Sequence, residues 1–311
     1  MNAIEIKEFH KSYGTVEAVR GVSLEVKRGE LFGLIGPDGA GKTTLLRAIC
    51  TLLLPDRGSI LVDGLDTTRE VARIRSILGY MPQRFSLYQD LSVEQNLRFF
   101  ADLFQVPEKE RERRLEQLYH FSRLAPFKKR LAGALSGGMK QKLALSCALI
   151  HTPAILVLDE PTYGVDPVSR QEFWDILRLI REEGASILVS TAYMDEADLC
   201  DRVALFFRGR IAGVGAPEAL KDRYRYPLYR LEAKDVRRLR DFFRSLPEVQ
   251  STQLFGDALH VSFKRPPDSR QWSEWQAASS GNLTTWSPQP PSIEDVFLAL
   301  IGGEADGGES I

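Results

Sequence analysis

The sequence predicts an α/β protein of two domains, and three observations carry that prediction. The apolar run Leu31-Phe32-Gly33-Leu34-Ile35 leads into Gly36-Pro37-Asp38-Gly39-Ala40-Gly41-Lys42-Thr43-Thr44 and then into Leu45–Ile49, which reads as a strand, a glycine turn and a helix. The uninterrupted apolar run Ile155–Leu158 has the composition of a strand buried on both faces of a parallel sheet, and Ser186–Val189 reads as another buried strand. Beyond residue 224 the pattern changes to alternating strands and amphipathic helices in the order βαββαβ, that of a ferredoxin-like α+β domain. With 311 residues and 43% hydrophobic content, the chain can build one large core and one small one.

The glycine turn fits the pattern G-x-x-x-x-G-K-[ST]. Glycines let successive backbone N–H groups turn inward as a nest for phosphate oxygens, and the helix that follows offers its unpaired N-terminal N–H groups to the same anion. On this reading Lys42 reaches the β- and γ-phosphates, and the hydroxyl of Thr43 is a hard oxygen ligand suited to Mg2+.

Taken in order, residues 3–9 and 22–27 read as strands, with Lys11-Ser12-Tyr13-Gly14 as a turn-rich segment. Tyr13, placed in a loop near a phosphate site, can stack on a purine; in isolation such a residue is more often a surface or core tyrosine. Ser59–Val62 continues as a strand, Thr68–Ser76 as a short helix and Ile77–Tyr80 as a further strand. Pro82 then favours an extended approach that leaves Gln83 at the strand's end. From Ser92 the period becomes helical, with Leu97, Phe100, Ala101 and Phe104 on one face, and a charged helix spans Glu108–His120. Ser136 can cap a helix running through Leu149, and Gly137 and Gly138 permit close approach of another group. The run Ile155–Leu158 delivers Asp159 and Glu160 to a strand's C-terminal edge, where ligands bind in open parallel sheets. The two carboxylates can divide labour, Asp159 near Mg2+ and Glu160 toward a water attacking the γ-phosphate; the alternative is a structural ion pair. Trp174–Ile180 is amphipathic, and Val203–Phe207 with Arg210–Val214 form a hairpin around Gly209. In the C-terminal part, Val236, Leu239, Phe243 and Leu246 share a helix face, two strands flank Gly256-Asp257, Trp272 and Trp275 share a helix, and Ser292 opens the last helix.

Charge and cysteine content narrow the functional class. Lys plus Arg number 41 and Asp plus Glu 42, which gives no electrostatic footprint for nucleic acid or for an anionic membrane surface. Cys50, Cys147 and Cys200 are widely spaced and outside any C-x-x-C, as expected of buried, reduced thiols. No signal-peptide pattern opens the chain, and no apolar run approaches the ~20 residues needed to span a bilayer.

Together, Tyr13, Gly36–Thr44, Gln83, Leu135-Ser136-Gly137-Gly138, Ile155–Glu160 and Gly164-Val165-Asp166 resemble the ATP-binding subunit of an ABC transporter over residues 1–220. They are similar to that family's A-loop, Walker A, Q-loop, signature, Walker B with catalytic glutamate, and D-loop, in order and spacing. The resemblance implies a P-loop NTPase with a RecA-like core, an antiparallel β subdomain and a helical insertion over about 91–150, followed by an accessory domain over 221–302. It implies ATP and Mg2+ as cofactors, with Tyr13, Gly36 to Thr44, Ser136, Gly137 and Gly138 binding nucleotide. It further implies Thr43, Gln83 and Asp159 at the metal, and Glu160 with Gln83 in catalysis. It also implies a dimer, in which two domains sandwich two ATPs, each held by the Walker motifs of one and the signature of the other. The segment Ile293–Leu300 resembles the C-terminal end of the ABC-2 exporter group, which handles drugs or polymers. Details of Walker A and the signature resemble the first ATP-binding half of YbhF-type tandem ATPases. On that resemblance the expected partners are a second ATP-binding domain and transmembrane permease subunits, with no nucleic acid, on the cytoplasmic face of the inner membrane. Gly302–Ser310 reads as a flexible tail or linker from 303 to 311, and both a complete subunit and half of a tandem chain stay open. So does a non-transport ABC ATPase, or a slow ATP-gated clamp on a soluble partner. One departure stands out: Ala192 lies where the family has its switch histidine, and it has no donor for the γ-phosphate. The resemblance therefore leads to the expectation of slow hydrolysis at this chain's own site.

Overall fold

The computed structural model describes residues 2–305. The chain divides into two compact units, residues 1–217 and 218–311, three residues before the position read from the sequence.

The first unit is built on two sheets. Strands β1 (Asn2–Tyr13), β2 (Val16–Lys27), β4 (Arg57–Val62) and β5 (Leu65–Asp66) form an antiparallel sheet in the order β2-β1-β4-β5. Strands β3 (Leu31–Ile35), β6 (Leu78–Met81), β7 (Ile155–Asp159), β8 (Ser186–Thr191), β9 (Arg202–Phe207) and β10 (Arg210–Gly215) form the second, in the order β10-β9-β3-β8-β7-β6. From β9 to β6 its strands are parallel, and β10 pairs antiparallel to β9. Every residue of β3, β7 and β8 is buried, which is why these strands read as continuous apolar runs rather than alternating ones. Because they are parallel, their C-terminal ends lie along one edge, and this edge presents Gly36, Asp159–Glu160 and Thr191–Ala192.

Helix α1 (Lys42–Ile49) follows β3 directly, and α2 (Val71–Ile77) precedes β6. Between β6 and β7 lie α3 (Val93–Leu103), α4 (Glu108–Ser122) and α5 (Gly137–Leu149), which share an apolar cluster of their own containing Leu97, Leu118 and Leu143. Ser92 caps α3 through a capping box with Gln95, and the Ser136 hydroxyl caps α5 by accepting from the Met139 N–H. Helix α6 (Pro167–Glu182) starts at Asp166, whose carboxylate accepts from the Ser169 N–H, with Pro167 in the first helical position.

The short helix α7 (Pro217–Lys221) contains the division between the units. In the second unit, β11 (Leu228–Ala233), α8 (Val236–Arg244), β12 (Val249–Phe255), β13 (Ala258–Phe263), α9 (Ser269–Ala278) and β14 (Leu283–Pro288) realise the order βαββαβ. The antiparallel sheet runs β12-β13-β11-β14, the ferredoxin-like arrangement. Leu239 and Phe243 of α8 and Trp272 and Trp275 of α9 pack with Leu231, Leu259, Val261 and Phe263 of the sheet. Helix α10 (Ile293–Ala305) closes the described chain. The linker expected from 303 is therefore helical in backbone to Ala305, and its remainder lies outside the described residues. The three cysteines are free and buried, and burial pushes each thiol well above its ordinary pKa.

Candidate functional site

A cleft of about 300 Å3 opens where the glycine turn meets the C-terminal edge of the parallel sheet. It is lined by Tyr13, Ala18, residues 38 to 44, Gln83 and Glu160. The turn owes its shape to close backbone contacts. A Cβ on Gly36 would sit 2.1 Å from the Phe206 carbonyl oxygen, and one on Gly41 would sit 2.3 Å from that of Ala18. Gly39 and Gly41 have φ of 74° and 109°, in the region that favours glycine. Gly41 is also the N-cap of α1, so no side chain caps this helix and its first N–H groups stay available to an anion.

Lys42 is buried and threads back under the turn. Its Nζ donates to the Gly36 carbonyl at 2.7 Å and the Pro37 carbonyl at 3.1 Å, and it pairs with Glu160 Oε1 at 3.0 Å. Gln83 Nε2 donates to the other Glu160 oxygen at 2.7 Å. The carboxylate of Glu160 is thus held between a cation and an amide. Its backbone is also constrained: φ is +49°, and its N–H donates to the Ser190 carbonyl at 3.1 Å and hydroxyl at 3.0 Å. A non-glycine residue in this region costs of order 1–3 kcal/mol, a strain that clusters at functional positions.

Asp159 sits beside this pair, fully buried. Its Oδ1 accepts from the Ser190 hydroxyl at 2.8 Å and the Thr43 hydroxyl at 3.1 Å, while Oδ2 is buried with no hydrogen-bond partner. Burial pushes the carboxyl above its ordinary pKa, against the hydrogen bonds from Ser190 and Thr43. A buried carboxylate oxygen left without a donor, next to a threonine hydroxyl, is a good fit for a hard divalent cation. Among the described residues no group of three or more His, Cys, Asp or Glu converges as a complete metal site. That suits Mg2+, which usually takes one or two protein oxygens and fills its shell with water and phosphate.

Of the residues singled out from the sequence, Tyr13, residues 38 to 44, Gln83 and Glu160 share the cleft, with Asp159 behind Thr43. The carbonyls of Gly36 and Pro37 serve to hold Lys42. Gln83 meets Glu160 rather than the Thr43–Asp159 pair. Tyr13 is half exposed and ends strand β1 opposite Val16, so it is not the loop residue expected; the turn is only Gly14-Thr15. Ser136, Gly137 and Gly138 are not among the cleft's lining residues. Gly138 packs against α6, where a Cβ would lie 2.5 Å from that of Ser169. Sequence reasoning missed Ala18, which lines the cleft and sets its carbonyl against Gly41, and Ser190, which ties Asp159 to Glu160; the one signal for Ser190 was its place at the end of a buried strand. Ala192 follows β8 directly and brings no side-chain donor to this edge.

Residues 19–163 match the ABC transporter family. The chain is 41% identical over 290 residues to a probable multidrug ABC transporter ATP-binding protein, YbhF, of Escherichia coli (strain K12), covering 92% of this chain and 49% of that one. It thus spans about half the length of that relative. It is 35% identical over 306 residues to the Nod factor export ATP-binding protein I of Rhizobium sp. (strain N33), covering 98% of each. Among solved structures it is similar to the dimeric post-hydrolysis state of the ATP-binding cassette MJ0796 bound to ADP and Pi. That match has a TM-score of 0.63 at 26% identity, over 68% of this chain and 98% of that one. The chain belongs to the ABC transporter ATP-binding proteins and has their P-loop NTPase fold.

Proposed function

We propose that this chain is the ATP-binding and hydrolysing subunit of an ABC-type exporter, acting as an ATP-sandwich dimer at the cytoplasmic face of the membrane. The observation that carries this reading is the convergence of Lys42, Gln83 and Glu160 on one cleft, with the open Oδ2 of Asp159 beside Thr43. Tyr13 stacks on the base, and the N–H groups of residues 39 to 44 receive the phosphates. Thr43 and Asp159 hold Mg2+, which when bound neutralises phosphate charge. Binding of phosphate draws Lys42 from Glu160, and Glu160, still positioned by Gln83, is then free to accept a proton from the attacking water. Ser136, Gly137 and Gly138 complete the site of a second ATP-binding domain, which accounts for their absence from this chain's own cleft. Ala192 removes a donor from the attacking geometry, so this site hydrolyses slowly and a partner domain with a histidine there carries most turnover.

Export is supported by the names of the relatives, one a probable multidrug transporter subunit and one a Nod factor exporter subunit. Among the described residues no helix is long and apolar enough to cross a membrane; in the exporter reading, permease partners supply the pathway. The test is affinity capture of the tagged chain from detergent-solubilised membranes with MgATP present. A multi-helix membrane protein recovered at a fixed ratio supports the exporter. Recovery of soluble partners alone contradicts it and favours the clamp on a soluble partner.

A further inference from the structure

The side chains around the cleft do not match the charge of the ligand it is proposed to take. Lys42 is the one lysine or arginine among the lining residues, and Glu160 at 3.0 Å already balances it. Asp38 also lines the cleft, exposed and without a hydrogen-bond or ion-pair partner among the described residues. Asp159 adds a further carboxylate behind Thr43. The side-chain charge is therefore net negative, and attraction for phosphate comes from backbone N–H groups and from the start of α1, equivalent to about half a positive charge. Such a site discriminates sharply by ligand charge. A polyphosphate that arrives with a divalent ion has part of its charge cancelled; the bare polyanion meets Asp38 unscreened.

We infer that Asp38 makes nucleotide binding conditional on a divalent cation, by holding an unpaired negative charge in the phosphate-binding turn. The inference rests on the ATP reading above and assigns a specificity role to a residue of that turn. Asp38 selects through charge, not contact geometry. An isosteric amide at this position loses the selection, whereas a longer carboxylate keeps it. Because Asp38 is exposed, added salt weakens its effect.

The experiment measures the dissociation constant of a fluorescent ATP analogue for the full chain, for Asp38→Asn and for Asp38→Glu. Each is titrated in excess Mg2+ and in EDTA, at low and at high salt. The readout is the ratio of the EDTA value to the Mg2+ value. The expected result is a ratio about 5-fold smaller in Asp38→Asn than in wild type, the size of a unit charge acting across several ångströms at a surface. Asp38→Glu keeps the wild-type ratio, and the difference between wild type and Asp38→Asn shrinks in high salt. Equal ratios in wild type and Asp38→Asn, or an Asp38→Glu ratio that falls as far as that of Asp38→Asn, overturn the inference and leave the ATP reading standing. A wild-type chain that binds the analogue in neither condition overturns both.

Discussion

Two buried aspartates, one in each unit, are treated in opposite ways. Asp295 in α10 has both oxygens occupied: Oδ1 meets His260 Nδ1 at 3.0 Å, and Oδ2 accepts from the Ser292 N–H at 2.9 Å and hydroxyl at 2.6 Å. Burial alone would raise its carboxyl, but these hydrogen bonds outweigh burial and hold it below its ordinary pKa. Asp159 is as deeply buried, has donors on one oxygen only, and is pushed the other way. The first arrangement is closed and needs nothing further. The second is open, and a protein tolerates an unsatisfied buried carboxylate oxygen where a ligand supplies the missing partner. The same contrast extends outward: Phe255 stacks on His260 with ring centroids 4.0 Å apart, whereas Glu160 beside Asp159 holds a left-handed backbone.

Damage at the open arrangement should cut turnover by orders of magnitude while the secondary structure is retained. Lys42→Ala removes the cation at the phosphates, and we expect ATP turnover to fall by about 10²- to 10³-fold with a parallel loss of MgATP affinity. Coupled-enzyme assay and nucleotide titration check both, against an unchanged far-UV spectrum.

Damage at the closed arrangement should do the reverse. Asp295→Ala strands His260 and removes the carboxylate half of the capping contact with Ser292, at a cost of about 3 kcal/mol. Denaturation followed by tryptophan fluorescence reports it, since Trp272, Trp275 and Trp286 lie in this unit and Trp174 in the other. Nucleotide affinity should not move. The pH dependence has a definite sign. A carboxyl held below its ordinary value stabilises the fold above the unfolded pKa of about 3.9, and that contribution is lost as pH falls through the lower folded value. The second unit of the wild type should therefore lose stability on acidification in that range, and Asp295→Ala should lose less.

Ala192 lets the open site be improved. Ala192→His places a donor at the end of β8, and we expect the isolated chain's ATPase rate to rise, by as much as about 10²-fold. An unmodified chain already turning over at about 10 per second, with no gain on substitution, would contradict an impaired site. The smallest effect belongs to Tyr13. Tyr13→Ala should cost about 1–2 kcal/mol of nucleotide affinity and Tyr13→Phe little, as expected for stacking. Equal losses would implicate the hydroxyl.

Much of the fold was legible because it rests on local patterns. Strands β3, β7 and β8 carry apolar runs without alternation since both faces are covered, and the glycine turn and α1 announce themselves by composition. What was not legible depends on neighbours distant in sequence. The segment Lys11–Tyr13 has turn-like composition, yet pairing with β2 extends β1 to Tyr13, opposite Val16. The need for glycine at 41 comes from a carbonyl at Ala18, and the conformation of Glu160 from Ser190 on the adjacent strand. His260 and Asp295 lie 35 residues apart, and neither is remarkable alone. Ser136 to Gly138 show the same limit at a larger scale, since one chain contains nothing that says which site they would complete.

In the proposed reading, the open oxygen of Asp159 is where a divalent cation enters nucleotide binding. The direct measurement is the affinity of the wild type and of Asp159→Asn for a fluorescent ATP analogue as Mg2+ is raised from none to excess. Wild-type affinity should climb with Mg2+, and Asp159→Asn, with its fold retained, should keep only the smaller climb that the Asp38 charge imposes. The same climb in both proteins would contradict that reading.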